Sequence, residues 1–175
     1  MAIISYTLKK SRRAKYMRLT VRPGGIVVLT APESLSSVAI EKFIAQYSDW
    51  AGRAIEKMRF RKALPSGKGE YRARREAART LVHARLSYWN SFYSLNYNRV
   101  AIKDTKSLWG SCSRKGNLNF SYKIIHLPQE LQDYIIVHEL CHLKEPNHSR
   151  AFWALVAKTQ PNFLGLRREL RRYIL

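Results

Sequence analysis

The chain has 175 residues, of which 46% are hydrophobic, and its 32 Lys and Arg against 12 Asp and Glu give a formal net charge of +20 at pH 7. This length and composition exclude a chain without a core and predict one domain with a small N-terminal subdomain. The charge makes DNA or another polyanion an expected partner, although a proteome-wide bias toward basic residues is an alternative explanation.

The two cysteines and the N-terminal sequence bear on location. Cys112 and Cys141 form no Cys-x-x-Cys pair and cannot make a disulfide framework, so we expect Cys141, and by the same argument Cys112, to be a small buried residue. No basic region precedes the short apolar run at the N-terminus, and no segment approaches 18 apolar residues. We therefore predict a cytoplasmic protein without a membrane partner.

Residues 1–62 are predicted to form a β-meander followed by a helix. Alternating apolar residues predict strands at about 3–8, 17–22 and 26–30, and Ser36 or Ser37 is placed to cap a helix that runs to about residue 61. The predicted loop between the first two strands is strongly basic and has no evident core duty. Its candidate nucleic-acid-binding residues are Lys9, Lys10, Arg12, Arg13 and Lys15.

Residues 70–175 are predicted to form a second, catalytic domain after a linker at 63–69. The pattern predicts a helix at about 70–95, strands at 99–103 and 117–121, and helices at 131–143, 149–158 and from Pro161 onward. We expect the strand at 117–121 to lie at a sheet edge and to pair with an extended substrate.

The run from His138 to His142 has the pattern His-Glu-x-x-His. Residues four apart on a helix lie about 40° from each other and one turn apart, so both imidazoles can reach one ion. Glu139 is rotated off that face and can take a proton from water. His148 follows six residues later, after a turn at Pro146 and Asn147 that can bring it back as a third ligand. The pattern predicts one zinc ion bound by His138, His142 and His148, with Glu139 as catalytic base.

Other interpretations of these residues stay open. A histidine pair can simply be packed and hydrogen-bonded, and the chain could be a non-catalytic nucleic-acid-binding module with a structural zinc. Against the second view, three histidines leave a coordination position open, as catalytic sites do. Tyr122, Asn119 and several arginines are candidates for stabilising the transition-state oxyanion, and the sequence does not choose among them.

Several segments resemble the YgjP-like metallopeptidases, which are related to the WLM and SprT-like proteases that act on proteins crosslinked to DNA. The resemblance implies the same three zinc ligands and Glu139 as base, a protein or peptide substrate, and nucleic-acid-associated proteins as a candidate substrate class. We expect a zincin-like α+β fold with a small, mostly antiparallel sheet packed on helices. The segments that carry the resemblance are Trp109–Ser113, Asp133–Leu143, Asn147–His148 and Phe152–Trp153.

Overall fold

The computed structural model describes residues 4–175, which form two compact units that end and begin at Ala63 and Leu64. Each unit combines helices with a small three-stranded sheet, so the expected α+β class is confirmed. Among the described residues, no helix has the length and apolar character needed to cross a membrane.

The N-terminal unit contains three strands, two helices and one further short strand. They are β1 (Thr7–Ser11), β2 (Arg18–Arg22), β3 (Ile26–Pro32), α1 (Ser37–Gln46), α2 (Ser48–Arg59) and the two-residue β4 (Lys62–Ala63).

The three strands of this unit do not form a meander. The strand order is β1-β3-β2, with β1 parallel and β2 antiparallel to β3. β3 is the longest strand and buries Val27, Leu29 and Ala31, so the most apolar strand occupies the centre and the polar strands form the edges. The first predicted strand is also displaced: residues 4–6 lie outside β1, and residue 3 lies outside the described part of the chain.

The predicted helix at 36–61 is interrupted at Tyr47. Ser36 caps α1, as expected, because its Oγ accepts a hydrogen bond from the Ala39 N–H. At the other end, the Ser48 hydroxyl donates to the Ala45 carbonyl oxygen at 3.0 Å. A serine hydroxyl that bonds the preceding turn competes with the helical ladder, which explains why one helix becomes two.

The second unit holds four helices and four strands. They are α3 (Lys68–Tyr93), β5 (Arg99–Lys103), β6 (Gly110–Cys112), β7 (Asn117–Ser121), α4 (Gln129–Cys141), α5 (Arg150–Ala157), α6 (Phe163–Leu170) and the two-residue β8 (Tyr173–Ile174).

The sheet of this unit has the order β5-β7-β6, with β5 parallel and β6 antiparallel to β7. The prediction that 117–121 is an edge strand is therefore wrong. Leu118 and Phe120 of β7 are fully buried, and a strand with that much buried apolar surface takes the centre of the sheet. Each three-stranded sheet has one parallel and one antiparallel pair, so the expectation of a mostly antiparallel sheet is also corrected.

The core of this unit is built around α4. Ten of its residues are buried, and it packs against α3, β6, α5 and α6. Asp133 accepts two hydrogen bonds from the Arg85 guanidinium, at 2.5 and 2.6 Å, which fastens α4 to α3. The helix that carries the His-Glu-x-x-His pattern is thus held on several sides.

Candidate metal centre

Three histidines converge at the C-terminal end of α4. The Nε2 atoms of His138, His142 and His148 lie 3.0–3.2 Å from one another. His138 lies in the last turn of α4 and His142 caps its end, so helical spacing brings these two together. Among the described residues, this is the group that could hold a metal ion.

The orientation of His142 is set by the backbone. Its Nδ1 lies 3.0 Å from the carbonyl oxygen of Glu145. Because a carbonyl oxygen only accepts, Nδ1 must carry the proton, which leaves the lone pair on Nε2 facing the other two histidines. A neutral imidazole in this tautomer is a ligand and not a donor.

A turn and a helix cap return His148 to the other two histidines. The Ser149 N–H donates to the Asn147 carbonyl oxygen at 2.8 Å, and the Ser149 hydroxyl oxygen accepts from the Phe152 N–H at 3.2 Å as the N-cap of α5. His148 therefore lies directly before the start of α5.

Aromatic side chains of α5 support the three imidazoles, as the sequence predicted. Phe152 is fully buried and its ring centroid lies 4.4–4.9 Å from all three imidazoles. Trp153 stacks on His148, with centroids 5.5 Å apart and an interplanar angle of 20°. These contacts restrict the rotamers of the histidines, so the nitrogen atoms are positioned before any ion binds.

Glu139 lies on the next face of α4, against β6. A Cβ atom built on Gly110 would come within 2.6 Å of Glu139 Cγ and 2.7 Å of its Oε1. The side chain therefore fits only because position 110 has no side chain. Its Oε2 atom is buried and has no hydrogen-bond partner among the described residues.

Burial dominates the electrostatics of the centre. It raises the pKa of the Glu139 carboxyl to about 8. Burial, together with the positive charge that His142 and His148 would carry, lowers the pKa of His138 to about 3. Neutral imidazoles beside an orphaned carboxylate oxygen fit a divalent cation and a water molecule, because these supply the partners that the protein does not.

A cavity of about 700 Å³ opens over the histidines and Glu139. Its walls come from β6 and the flanking loops, from α4, and from Leu170 of α6. The wall residues that sequence reasoning did not select include Leu108, Trp109, Tyr134, Ile135 and Leu170. They are ordinary apolar residues in the sequence, and only the tertiary structure brings them together.

Neither sequence candidate for the oxyanion donor lines this cavity. Tyr122 is fully buried and its hydroxyl donates to the Pro65 carbonyl oxygen at 3.3 Å. Asn119 donates to the Ser111 hydroxyl oxygen at 3.1 Å. Both side chains are engaged in structural hydrogen bonds within the sheet region.

The basic residues at 9–15 lie in the N-terminal unit and are all exposed. Lys9 and Lys10 belong to β1 and not to a loop, whereas Arg12, Arg13 and Lys15 follow in the turn. Arg12 forms an ion pair with Glu33 at 3.0 Å. Their role in binding nucleic acid stays a prediction.

Comparison with known proteins gives this arrangement a family. The profile of the YgjP-like metallopeptidase domain matches residues 67–173, which is more than half of the chain. The chain belongs to the YgjP-like metallopeptidase family. The matched region of this YgjP-like chain includes the three histidines, Glu139 and the cavity wall.

Further comparison adds one solved structure. The metallopeptidase zymogen of Pyrococcus abyssi abylysin is similar, with 26% sequence identity over 54% of this chain and 99% of that chain and a TM-score of 0.47. No curated protein matches this YgjP-like chain.

Proposed function

We propose that this chain is a zinc-dependent endopeptidase in which His138, His142 and His148 hold one zinc ion and Glu139 is the general base. The observation that carries the proposal is the convergence of three imidazole nitrogens beside a buried carboxylate oxygen without a partner. Three neutral imidazoles are a donor set of catalytic zinc sites, in which one position stays open. When bound, zinc supplies Lewis acidity to the scissile carbonyl and to water.

Glu139 would move the proton. Its Oε2 atom would accept a proton from the attacking water and deliver it to the nitrogen of the breaking peptide bond, so that the products are a carboxylic acid and an amine. The close approach to Gly110 limits the positions that this carboxylate can take. A fixed base is favoured because proton transfer needs a separation within hydrogen-bond reach.

We place the substrate backbone along β6. One edge of this strand pairs with β7, and its residues also line the cavity beside Glu139. A strand whose second edge is unpaired can bind an extended peptide through main-chain hydrogen bonds. This replaces 117–121 as the segment assigned to that role.

Metal analysis and a protein digest test the proposal together. Wild-type protein should contain one zinc per chain and cleave casein, and Glu139→Gln should keep the zinc while losing cleavage, because an amide cannot accept the proton. Glu130→Gln, an exposed carboxylate on the same helix, is the matched control and should stay active. If wild type binds zinc but cleaves neither casein nor histones, the non-catalytic zinc-containing module is the better description.

Nucleic-acid-associated proteins are the substrate class that the charge favours. The net charge is +20, and Lys9, Lys10, Arg13 and Lys15 are exposed without an ion pair among the described residues. Such a surface attracts phosphates and would concentrate the enzyme on DNA or another polyanion.

A further inference from the structure

A cationic side chain stands at the α6 side of the metal centre. Leu170 of α6 lines the cavity, and Arg167 lies one helical turn before it on the same face. The guanidinium carbon of Arg167 lies 5.3 Å from the ring centroid of Trp153. Because Trp153 stacks on His148, one indole ring separates this cation from the histidine cluster.

No carboxylate of the described residues neutralises Arg167. It is exposed and takes part in none of the ion pairs found in residues 4–175. Contact with an aromatic face holds the guanidinium plane but leaves its N–H groups available. Arg167 is thus positioned by Trp153 while its donors remain unused.

The charge of Arg167 reaches the groups that border the cavity. Burial is the main cause of the lowered pKa values of His138 and His148, and Arg167 contributes to both. Burial also raises the pKa of Tyr134, and the charges of Arg167 and Arg171 oppose that effect. Arg171 lies one turn beyond Arg167, so α6 presents two cations to this end of the cavity.

We propose that Arg167 binds a carboxylate of the peptide substrate and so gives the enzyme a preference for an acidic group on the α6 side of the cleaved bond. The proposal rests on the peptidase function above and adds a specificity-determining residue to it. A guanidinium binds a carboxylate through two parallel hydrogen bonds, and such charge-assisted pairs are stronger than neutral ones. The carboxylate is that of an Asp or Glu side chain or that of a free C-terminus.

Cleavage of matched peptides tests the preference. For a good substrate with Glu on the α6 side of the bond, Arg167→Gln should lower kcat/KM by about 10-fold to 100-fold, whereas for the Gln-substituted peptide it should change by less than about threefold. Arg167→Glu should reverse the preference toward Lys. Arg168, also exposed and about 100° around the helix, is the control, and Arg168→Gln should leave both values unchanged.

Several results would overturn the assignment. Equal losses on the acidic and neutral peptides would make Arg167 a general catalytic or structural residue. A wild-type enzyme without preference for acidic peptides, or a preference that Arg114→Gln removes and Arg167→Gln does not, would also refute it, because Arg114 lines the other side of the cavity. Peptides with free and amidated C-termini distinguish a terminal carboxylate from a side chain.

A binding measurement separates this inference from the peptidase function. The dissociation constant of a fluorescent acidic peptide would be measured on zinc-loaded Glu139→Gln with and without Arg167→Gln, at constant ionic strength. We expect the second change to weaken binding by about tenfold or more for the acidic peptide only. If wild type cleaves nothing but this difference persists, the peptidase function fails and the carboxylate site stands; if wild type cleaves peptides but the difference is absent, the reverse holds.

Discussion

Replacing Gly110 with alanine should impair the reaction through Glu139 alone. The new Cβ would lie 2.6 Å from Glu139 Cγ and 2.7 Å from Oε1, whereas ordinary contacts begin at 3.4 Å. The carboxylate must therefore move by roughly 0.8 Å, and a displacement of about 1 Å can cost about 100-fold in rate. We expect kcat/KM to fall by about 10-fold to 100-fold, which corresponds to ~1.4–2.8 kcal/mol of transition-state stabilisation.

The assay for this prediction is steady-state peptide hydrolysis together with zinc content and a thermal melt. Gly110→Ala should keep its zinc, because the three histidines do not contact Gly110, and the overpacking should cost about 1–3 kcal/mol of stability. Gly69→Ala is the matched control: a Cβ there meets no atom within 4 Å, so activity should be unchanged and stability equal or slightly higher.

A double variant decides whether Gly110 acts through Glu139. If it does, Gly110→Ala/Glu139→Gln should be no less active than Glu139→Gln, because the base that the alanine displaces is already absent. Wild-type kcat/KM in Gly110→Ala, or additive losses in the double variant, would refute the reasoning.

Three further predictions follow from the same contacts. His148→Ala should weaken zinc binding by more than about 100-fold, as measured by competition with a chromophoric chelator; unchanged affinity would remove His148 from the ligand set. Asp133→Asn should lower the free energy of unfolding in urea by about 1–3 kcal/mol, because it leaves the half-buried Arg85 charge without its partner, whereas breaking the exposed Arg74–Glu70 pair with Arg74→Gln should cost no more than about 0.5 kcal/mol. Neutralising the basic residues at 9–15 should weaken DNA binding at physiological salt and reduce the slope of log affinity against log salt by about 0.9 per lost phosphate contact on duplex; an equal effect from neutralising Arg72, Arg74 and Arg75 would indicate a general charge effect and not a dedicated site.

The local part of the metal centre could be predicted from the sequence. His138 and His142 are four residues apart on one helix, and His148 returns after a turn that Pro146 and Asn147 indicate, so their convergence depends on short-range geometry. The bounds of α3 and β5 also follow closely from hydrophobic periodicity, which is a local property.

Periodicity could not determine the order of strands within the sheets. Alternation identifies strands but does not say which neighbours they pair with, so the predicted meander and the edge position of 117–121 were wrong. β3 and β7 became central because they bury the most apolar surface once the helices pack on them. That choice depends on packing of the whole unit and not on any one segment.

Contacts between residues distant in sequence decided the shape of the site. Glu139 meets Gly110, and Arg167 contacts Trp153, which in turn stacks on His148. None of these pairs has a spacing that predicts a contact, because each joins different elements whose positions depend on the packing around α4. The sequence alone thus identified the groups that can hold a metal and move a proton, and the tertiary structure determined which neighbours fix the base and which cation faces the substrate.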